Sequence, residues 1–122
     1  MGVYIFESKH RPYIKVGHYA GQNAWSRVAH RGFHSCAHPT DLTQLECTDI
    51  ELVAWFPAYT KEDEVAVKRL FKTHRVRAYG RPTEWYEASV LPAIRAFLGS
   101  RGGVNSASAC SLTAALASRR RL

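Results

Sequence analysis

A phenol at Tyr4, a guanidinium at Arg27 and a carboxylate at Glu64 form a set that phosphoryl chemistry uses. A carboxylate holds a divalent ion, a cation offsets charge that builds in the transition state, and a phenol or amine handles the proton on the attacking water. Each of the three stands where a packing residue would have served. Tyr4 falls on the strand face opposite Val3 and Ile5, and Arg27 on the first helix. Glu64 precedes Val67, Lys68 and Phe71 by three, four and seven positions. It thereby extends the buried stripe of its helix toward the N-terminus. Singly, each has a plainer reading. A strand tyrosine packs and leaves its hydroxyl wet, a short-helix arginine is solvated, and a first-turn glutamate answers the helix dipole. The functional reading requires all three to converge in one shallow cleft.

The elements that must position them follow from patterning. Gly2–Glu7 and Tyr13–Gly17 are rich in β-branched and aromatic residues, and Lys9–Pro12 holds the breaker between them, which predicts an N-terminal hairpin. Alternation puts Val3, Ile5, Ile14 and Val16 on one face and Tyr4, Tyr13, Lys15 and Gly17 on the other. A two-residue turn at Lys9-His10 sets Tyr4 across from Lys15, and a longer turn slips that register. A helix is predicted from Ala24 to Arg31, with Asn23 as N-cap, Gly32 at C′ and Trp25, Val28 and Ala29 buried. Arg27 lies off that stripe, with His30 and Arg31 one turn later on its own side. Residues 33–49 read as irregular, and Ile50–Phe56 as a third strand.

Thr60 opens a second helix with Asp63 completing a capping box, and Val67, Leu70, Phe71 and His74 form its stripe. Lys68, Arg69, Lys72 and Arg75 flank it. A turn at Gly80–Pro82 precedes an extended Thr83–Glu87, and a last helix spans Ser89 to Leu98 with Pro92 in its first turn. The prediction is a small α+β fold, a three-stranded, mostly antiparallel sheet flanked by helices. It occupies residues 1–98, followed by a basic low-complexity tail over 99–122.

Composition narrows the function classes. The 122 residues carry 17 Lys+Arg against 10 Asp+Glu, for a net charge of +7. The tail holds Arg101, Arg119, Arg120 and Arg121 and no acid, since Glu87 is the last one. A polyanion, DNA above all, is the natural partner for such a balance, set against an ordinary basic surface. No apolar run is long enough for a membrane span, and the start lacks the pattern of a signal peptide, so an intracellular protein is expected. Three cysteines, Cys36, Cys47 and Cys110, argue for reduced thiols over a disulfide framework.

Four segments in order carry a resemblance. Gly2-Val3-Tyr4, then Lys15-Val16-Gly17, then Arg27 on the next helix, resemble the GIY-YIG nuclease superfamily, in the branch whose second motif reads Lys-[Ile/Val]-Gly. Glu64-x-x-Val67-Lys68-x-x-Phe71 is similar to the family's glutamate helix, and Glu84-Trp85-Tyr86 to the Glu-Trp-Phe that often follows it. The resemblance covers about residues 2–98. It implies an endonuclease that cuts phosphodiester bonds in one step with Mg²⁺ or Mn²⁺. In that family Tyr4 helps activate water, Arg27 contacts the scissile phosphate, and Glu64 binds the metal. Gly17 lets backbone approach the phosphate. Tyr13, His18, His30, Arg31 and Glu84 fall at substrate-binding or supporting positions.

The sequence departs from the family at several places. Lys15 replaces the second-motif tyrosine, and a lysine there serves as base or as phosphate contact according to its surroundings. His18 stands in a slot that often holds lysine, Arg31 where many members have Tyr or His, and Val76 where many have asparagine.

Weaker signals complete the reading. Lys68, Arg69, Lys72, Arg75 and Arg77, with Tyr79 and Trp85 nearby, form either a backbone-holding surface or a solvated helix face. His34, Cys36, His38 and Cys47 invite a zinc site, although their spacing matches no common one. The leading reading is a nuclease whose target choice comes from DNA shape, a homodimer partner or a targeting partner. One rival is a catalytically weak nucleic-acid-binding module of the same fold. Another is a zinc-stabilised interaction domain built on 34–47.

Overall fold

The computed structural model describes residues 1–28 and 37–101. Five strands form one antiparallel sheet: β1 (Gly2–Ser8), β2 (Tyr13–Tyr19), β3 (Ile50–Pro57), β4 (Arg75–Ala78) and β5 (Arg81–Glu87), in the order β3-β1-β2-β5-β4. Three α-helices accompany them: α1 (Trp25–Val28), α2 (Lys61–Leu70) and α3 (Leu91–Ser100). The α+β class is as expected, but the sheet has five strands rather than three. The Arg-Val-Arg-Ala of β4 is too short and too basic to show a strand period. Its partner β5 begins earlier than its apolar residues indicate.

The β4–β5 hairpin is held by substitutes for regular ladder bonds. Its register shifts between Arg75 and Arg77, and Pro82 brings no N–H to the ladder. The buried Thr83 fills in: its Oγ1 donates to the Val76 carbonyl at 2.8 Å and accepts from the Trp85 N–H at 3.1 Å. Arg75 Nε donates to the Thr83 carbonyl at 3.0 Å. Thr83→Val therefore leaves a half-buried carbonyl and a buried amide without these partners while keeping the shape. The expected cost is about 1–3 kcal/mol, read as a lower denaturation midpoint at unchanged slope.

The β1–β2 connection is longer than two residues, so Tyr4 stands across from Gly17, and Lys15 across from Phe6. Its loop is tied down by His10 Nε2 on Asp49 Oδ2 at 2.8 Å and by Lys9 on the same carboxylate at 3.7 Å.

Both faces of the sheet are covered. On one, α2 and α3 bury Val3, Ile5, Ile14, Val16, Tyr86, Val67, Ile94 and Leu98 together. On the other, α1 and the segment after residue 37 bury Tyr4, Phe6, Trp25, Val28, Leu42, Cys47, Trp55 and Trp85. Tyr4 is thus a core residue, 1 % exposed, and not a phenol on a wet face. Alternation assigns a residue to a face; whether that face meets water depends on what the rest of the chain lays over it. β3 serves both cores. A bulge lies between its pairings to Ile5 and Phe6, so Ile50 and Leu52 join one core while Ala54 and Phe56 join the other. Arg95 of α3 donates to the carbonyl of the bulged Val53 at 2.9 Å.

Local signals at helix ends hold. Asn23 Oδ1 accepts the Trp25 N–H at 3.0 Å, and Pro92 sits in the first turn of α3. The capping box at α2 is complete, with the Thr60 N–H donating to Asp63 Oδ2 at 2.7 Å. α2 ends at Leu70, which is exposed, so the expected stripe stops at Val67 with Phe71 only half-buried. His74 falls in a 3₁₀ turn, Lys72–His74. The later half of the predicted first helix, and the tail beyond residue 101, lie outside the described residues. No helix among those described is long and apolar enough to cross a membrane.

Asp63 makes stability depend on pH. Burial raises its pKa, but the Thr60 N–H and the Arg101 guanidinium together outweigh that, and the carboxyl lies below its usual range. A group lowered on folding adds stability that is present above the unfolded-state pKa of about 3.9 and is lost as pH falls through the folded value. Asp63→Asn should therefore destabilise at pH 7, with the gap to wild type narrowing as pH falls below the unfolded-state value in urea titrations.

Candidate active site

Tyr4 and Gly17 form its floor. They are cross-strand partners, and the phenol lies so close over the glycine that a Cβ built there would sit 2.2 Å from Tyr4 Oη. Only glycine leaves room for the ring. The ring reaches over β2 at a level where that strand has no partner on its other side, because β5 pairs only with Tyr13–Lys15. Residues 16–19 of β2 thus border a notch in the sheet.

Lys15 and Glu84 meet at this notch. The Lys15 side chain is 2 % exposed, and its Nζ lies 4.0 Å from Glu84 Oε2 and 5.8 Å from the centre of the Trp85 ring. A buried ammonium needs such company. Lys15 shares a face with Trp85, its cross-strand partner, whereas Glu84 alternates with Trp85 and belongs to the opposite face. Their approach shows that the notch connects the two sides of the sheet.

Beside it lies an open cleft of about 260 Å³, lined by Lys68, Arg75, Pro82, Thr83, Glu84 and Ala37. Glu64 stands behind Lys68, 5 % exposed, with its Oε1 3.0 Å from the Lys68 ammonium one helical turn on. Tyr86 completes this side. Its hydroxyl is buried, has no hydrogen-bond partner among the described residues, and feels the charges of Arg75, Glu64 and Glu84. Burial pushes its pKa up, so it is a neutral donor at any working pH. His18 of β2, across from Val3 on this side of the sheet, also has a buried Nε2 with no hydrogen-bond partner among the described residues.

The remaining candidates sit apart. Tyr13 is at the other end of β2 and donates to Asp41 Oδ2 at 2.9 Å. Arg27 is half-exposed in α1, between the buried Trp25 and Val28. Arg69 and Lys72 are exposed and outside the cleft lining. His30 and Arg31 lie outside the described residues. Of the zinc candidates, His34 and Cys36 also lie outside them. Cys47 is buried, with its thiol pKa raised by that burial, and His38 Nδ1 is engaged by the Pro39 carbonyl at 2.9 Å. Among the described residues no group of three His, Cys, Asp or Glu is placed to hold a metal.

A hard cation needs less than that. Mg²⁺ keeps several waters and takes one or two carboxylates plus substrate phosphate. The Glu64 and Glu84 carboxylates supply oxygen donors of that kind. The orphaned Tyr86 hydroxyl supplies a place for an ordered water.

Pattern reasoning missed Thr83 and Tyr86. Thr83 reads only as the first residue of an extended segment, and a threonine in a strand carries no signal of its own. For Tyr86 a signal existed: it adds a hydroxyl where the similar family motif has phenylalanine. Comparison with protein-family models, with curated proteins and with solved structures finds no match to the chain.

Proposed function

We propose that the chain is a divalent-metal-dependent endonuclease of GIY-YIG type that hydrolyses phosphodiester bonds in DNA. One arrangement carries the reading. Lys68, Arg75 and Glu84 line a single cleft, with Glu64 bound to Lys68 on one side and Lys15 to Glu84 on the other, next to the Tyr4–Gly17 pair. Cations at a groove wall hold a phosphodiester, and carboxylates among them mark where a cation is needed in turn.

Glu64, with Glu84, would hold Mg²⁺ or Mn²⁺, which when bound supplies Lewis-acid stabilisation of the phosphoryl oxygens. Lys68 and Arg75 position the strand. Arg27 does not line the cleft, so Lys68 and Arg75 are the cations that would offset charge on the scissile phosphate. Tyr4 is a core residue packed against Phe6 with ring centres 5.1 Å apart, and its hydroxyl over Gly17 would orient an attacking water that enters the notch. As the water oxygen bonds to phosphorus and gives its proton to solvent, the bond to the leaving sugar oxygen breaks, and the Lys15 ammonium would supply the proton which that oxygen takes.

The test is conversion of supercoiled plasmid to nicked circle by purified full chain in Mg²⁺ or Mn²⁺. Background nicking across metals and pH would overturn the proposal. A second reading, a nucleic-acid-binding module without activity, draws on one observation: each carboxylate of the site already has a lysine beside it. It predicts a gel shift without cleavage.

Tyr86→Phe removes the orphaned hydroxyl and keeps the ring. Stability should hold or rise by up to about 1 kcal/mol, since an unsatisfied buried donor is lost. Nicking should fall about tenfold or less, as for loss of one hydrogen bond of about 1 kcal/mol to the bound water or phosphate.

A further inference from the structure

The tip of the β4–β5 hairpin spends conformational energy on a residue that does nothing for the fold. Ala78 pairs with Arg81, so Tyr79 and Gly80 alone make the turn. Both have positive φ, 53° and 78°, as a two-residue type I′ hairpin requires. Glycine, asparagine and aspartate are the residues that tolerate this conformation, and a bulky aromatic there is an outlier. Tyr79 gains no packing in return. It is 94 % exposed, and a Cβ built on the neighbouring Gly80 would meet nothing within 4 Å.

The tip is nevertheless firmly made. Arg77 Nη1 donates to the Gly80 carbonyl at 3.0 Å, and Thr83 and Arg75 tie the two strands together below it. The stretch from Lys72 to Thr83 contains Lys72, Arg75, Arg77 and Arg81 and no acid. Arg75, Pro82 and Thr83 at its base line the cleft described above. A rigid, wholly basic finger therefore projects from the rim of that cleft with one bare aromatic ring at its end.

We propose that this hairpin is a probe for unpaired bases, with Tyr79 stacking on a base of single-stranded or junction-containing nucleic acid while Arg77 and Arg81 engage the flanking phosphates. Every base offers a π-face, so the contact is tolerant of sequence, and an aromatic among cations is the recurring form of such platforms. A fully paired duplex offers the ring only an end base pair. The inference deepens the nuclease reading by naming its substrate class, yet the contact stands whether or not the cleft cuts.

The experiment measures binding, in chelator, of the full chain to a labelled 20-nucleotide single strand, a duplex of the same sequence and a three-way junction. Tyr79→Asn is the central variant, because asparagine suits the turn better than tyrosine and should melt no lower than wild type. It should bind single strand and junction about tenfold more weakly, the loss of one stacking contact, and duplex equally well. Tyr79→Trp should restore or exceed wild-type binding. Equal binding of all three probes by wild type and Tyr79→Asn overturns the proposal, as does an equal loss on all three. Chelator suppresses cleavage, so a protein that never nicks plasmid can still pass this test, and an active nuclease can fail it.

Discussion

Glu64→Gln is expected to lower plasmid nicking by about 10²–10³-fold while DNA binding stays within a few-fold of wild type. The substitution is isosteric, so the nearly buried position keeps its volume. What it removes is the charge that would hold a divalent ion, and with it stabilisation worth several kcal/mol at about 1.4 kcal/mol per decade. Lys68 loses its 3.0 Å partner, but with its side chain 30 % exposed it stays solvated and remains available to phosphate. The discriminating result is the pair of readouts. Loss of nicking with retained gel shift assigns Glu64 to the chemistry. Loss of both assigns it to the shape of the surface, and unchanged nicking removes it from the site. Titrating Mn²⁺ against the variant adds a further readout, since a weakened metal site is partly rescued at high metal concentration.

Gly17→Ala should damage both the fold and the site. The new Cβ would lie 2.2 Å from Tyr4 Oη, 2.4 Å from Cζ and 3.0 Å from Cε1. No flexible end can give way there, because the ring is itself buried against Phe6 and the core around Trp25. Forcing extra volume into a packed core costs about 1–3 kcal/mol, or about 4–8 °C in melting temperature per kcal/mol for a domain of this size. Nicking should fall further than stability does, since the phenol is displaced from the notch. Pairing Gly17→Ala with Tyr4→Ala tests the cause. If the clash is the mechanism, the double variant loses less than the sum of the singles; additive losses would place the damage elsewhere.

Much of this arrangement is legible in one sequence, and the illegible parts share a physical origin. The hairpin, the alternation that separates Val3 and Ile5 from Tyr4, the capping box at Thr60 and Asp63, and the proline in the first turn of α3 are all local, and local rules recover them. Glu64 was marked by its place ahead of Val67, and it is buried as that spacing requires. The register of Tyr4 against Gly17 depends on the geometry of Lys9–Pro12, which composition does not fix. β4 depends on Thr83, seven residues beyond Val76, for the bond that makes its bulge tolerable. The burial of Tyr4 depends on Leu42 and Cys47, which come from a segment with no period at all. In the site, the basic flank of α2 read as uniform, yet only Lys68 of its first three cations lines the cleft. Helical rotation separates it from Arg69, Lys72 falls in the 3₁₀ turn beyond the end of α2, and only the tertiary placement of β5 says which side matters.

The bulge at Val53 sets a rule for how this chain can change length. Because side chains alternate strictly, Leu52 and Ala54 can face opposite sides only because Val53 is an extra residue; removing Val53 would straighten the ladder and leave Ile50 and Leu52 in one core and Ala54 and Phe56 in the other. Deletion of Val53 should accordingly survive in a library selected for folded protein, at the loss of the Arg95 contact, whereas a single insertion between Ala54 and Phe56, where β3 pairs in unbroken register with β1, should be rejected.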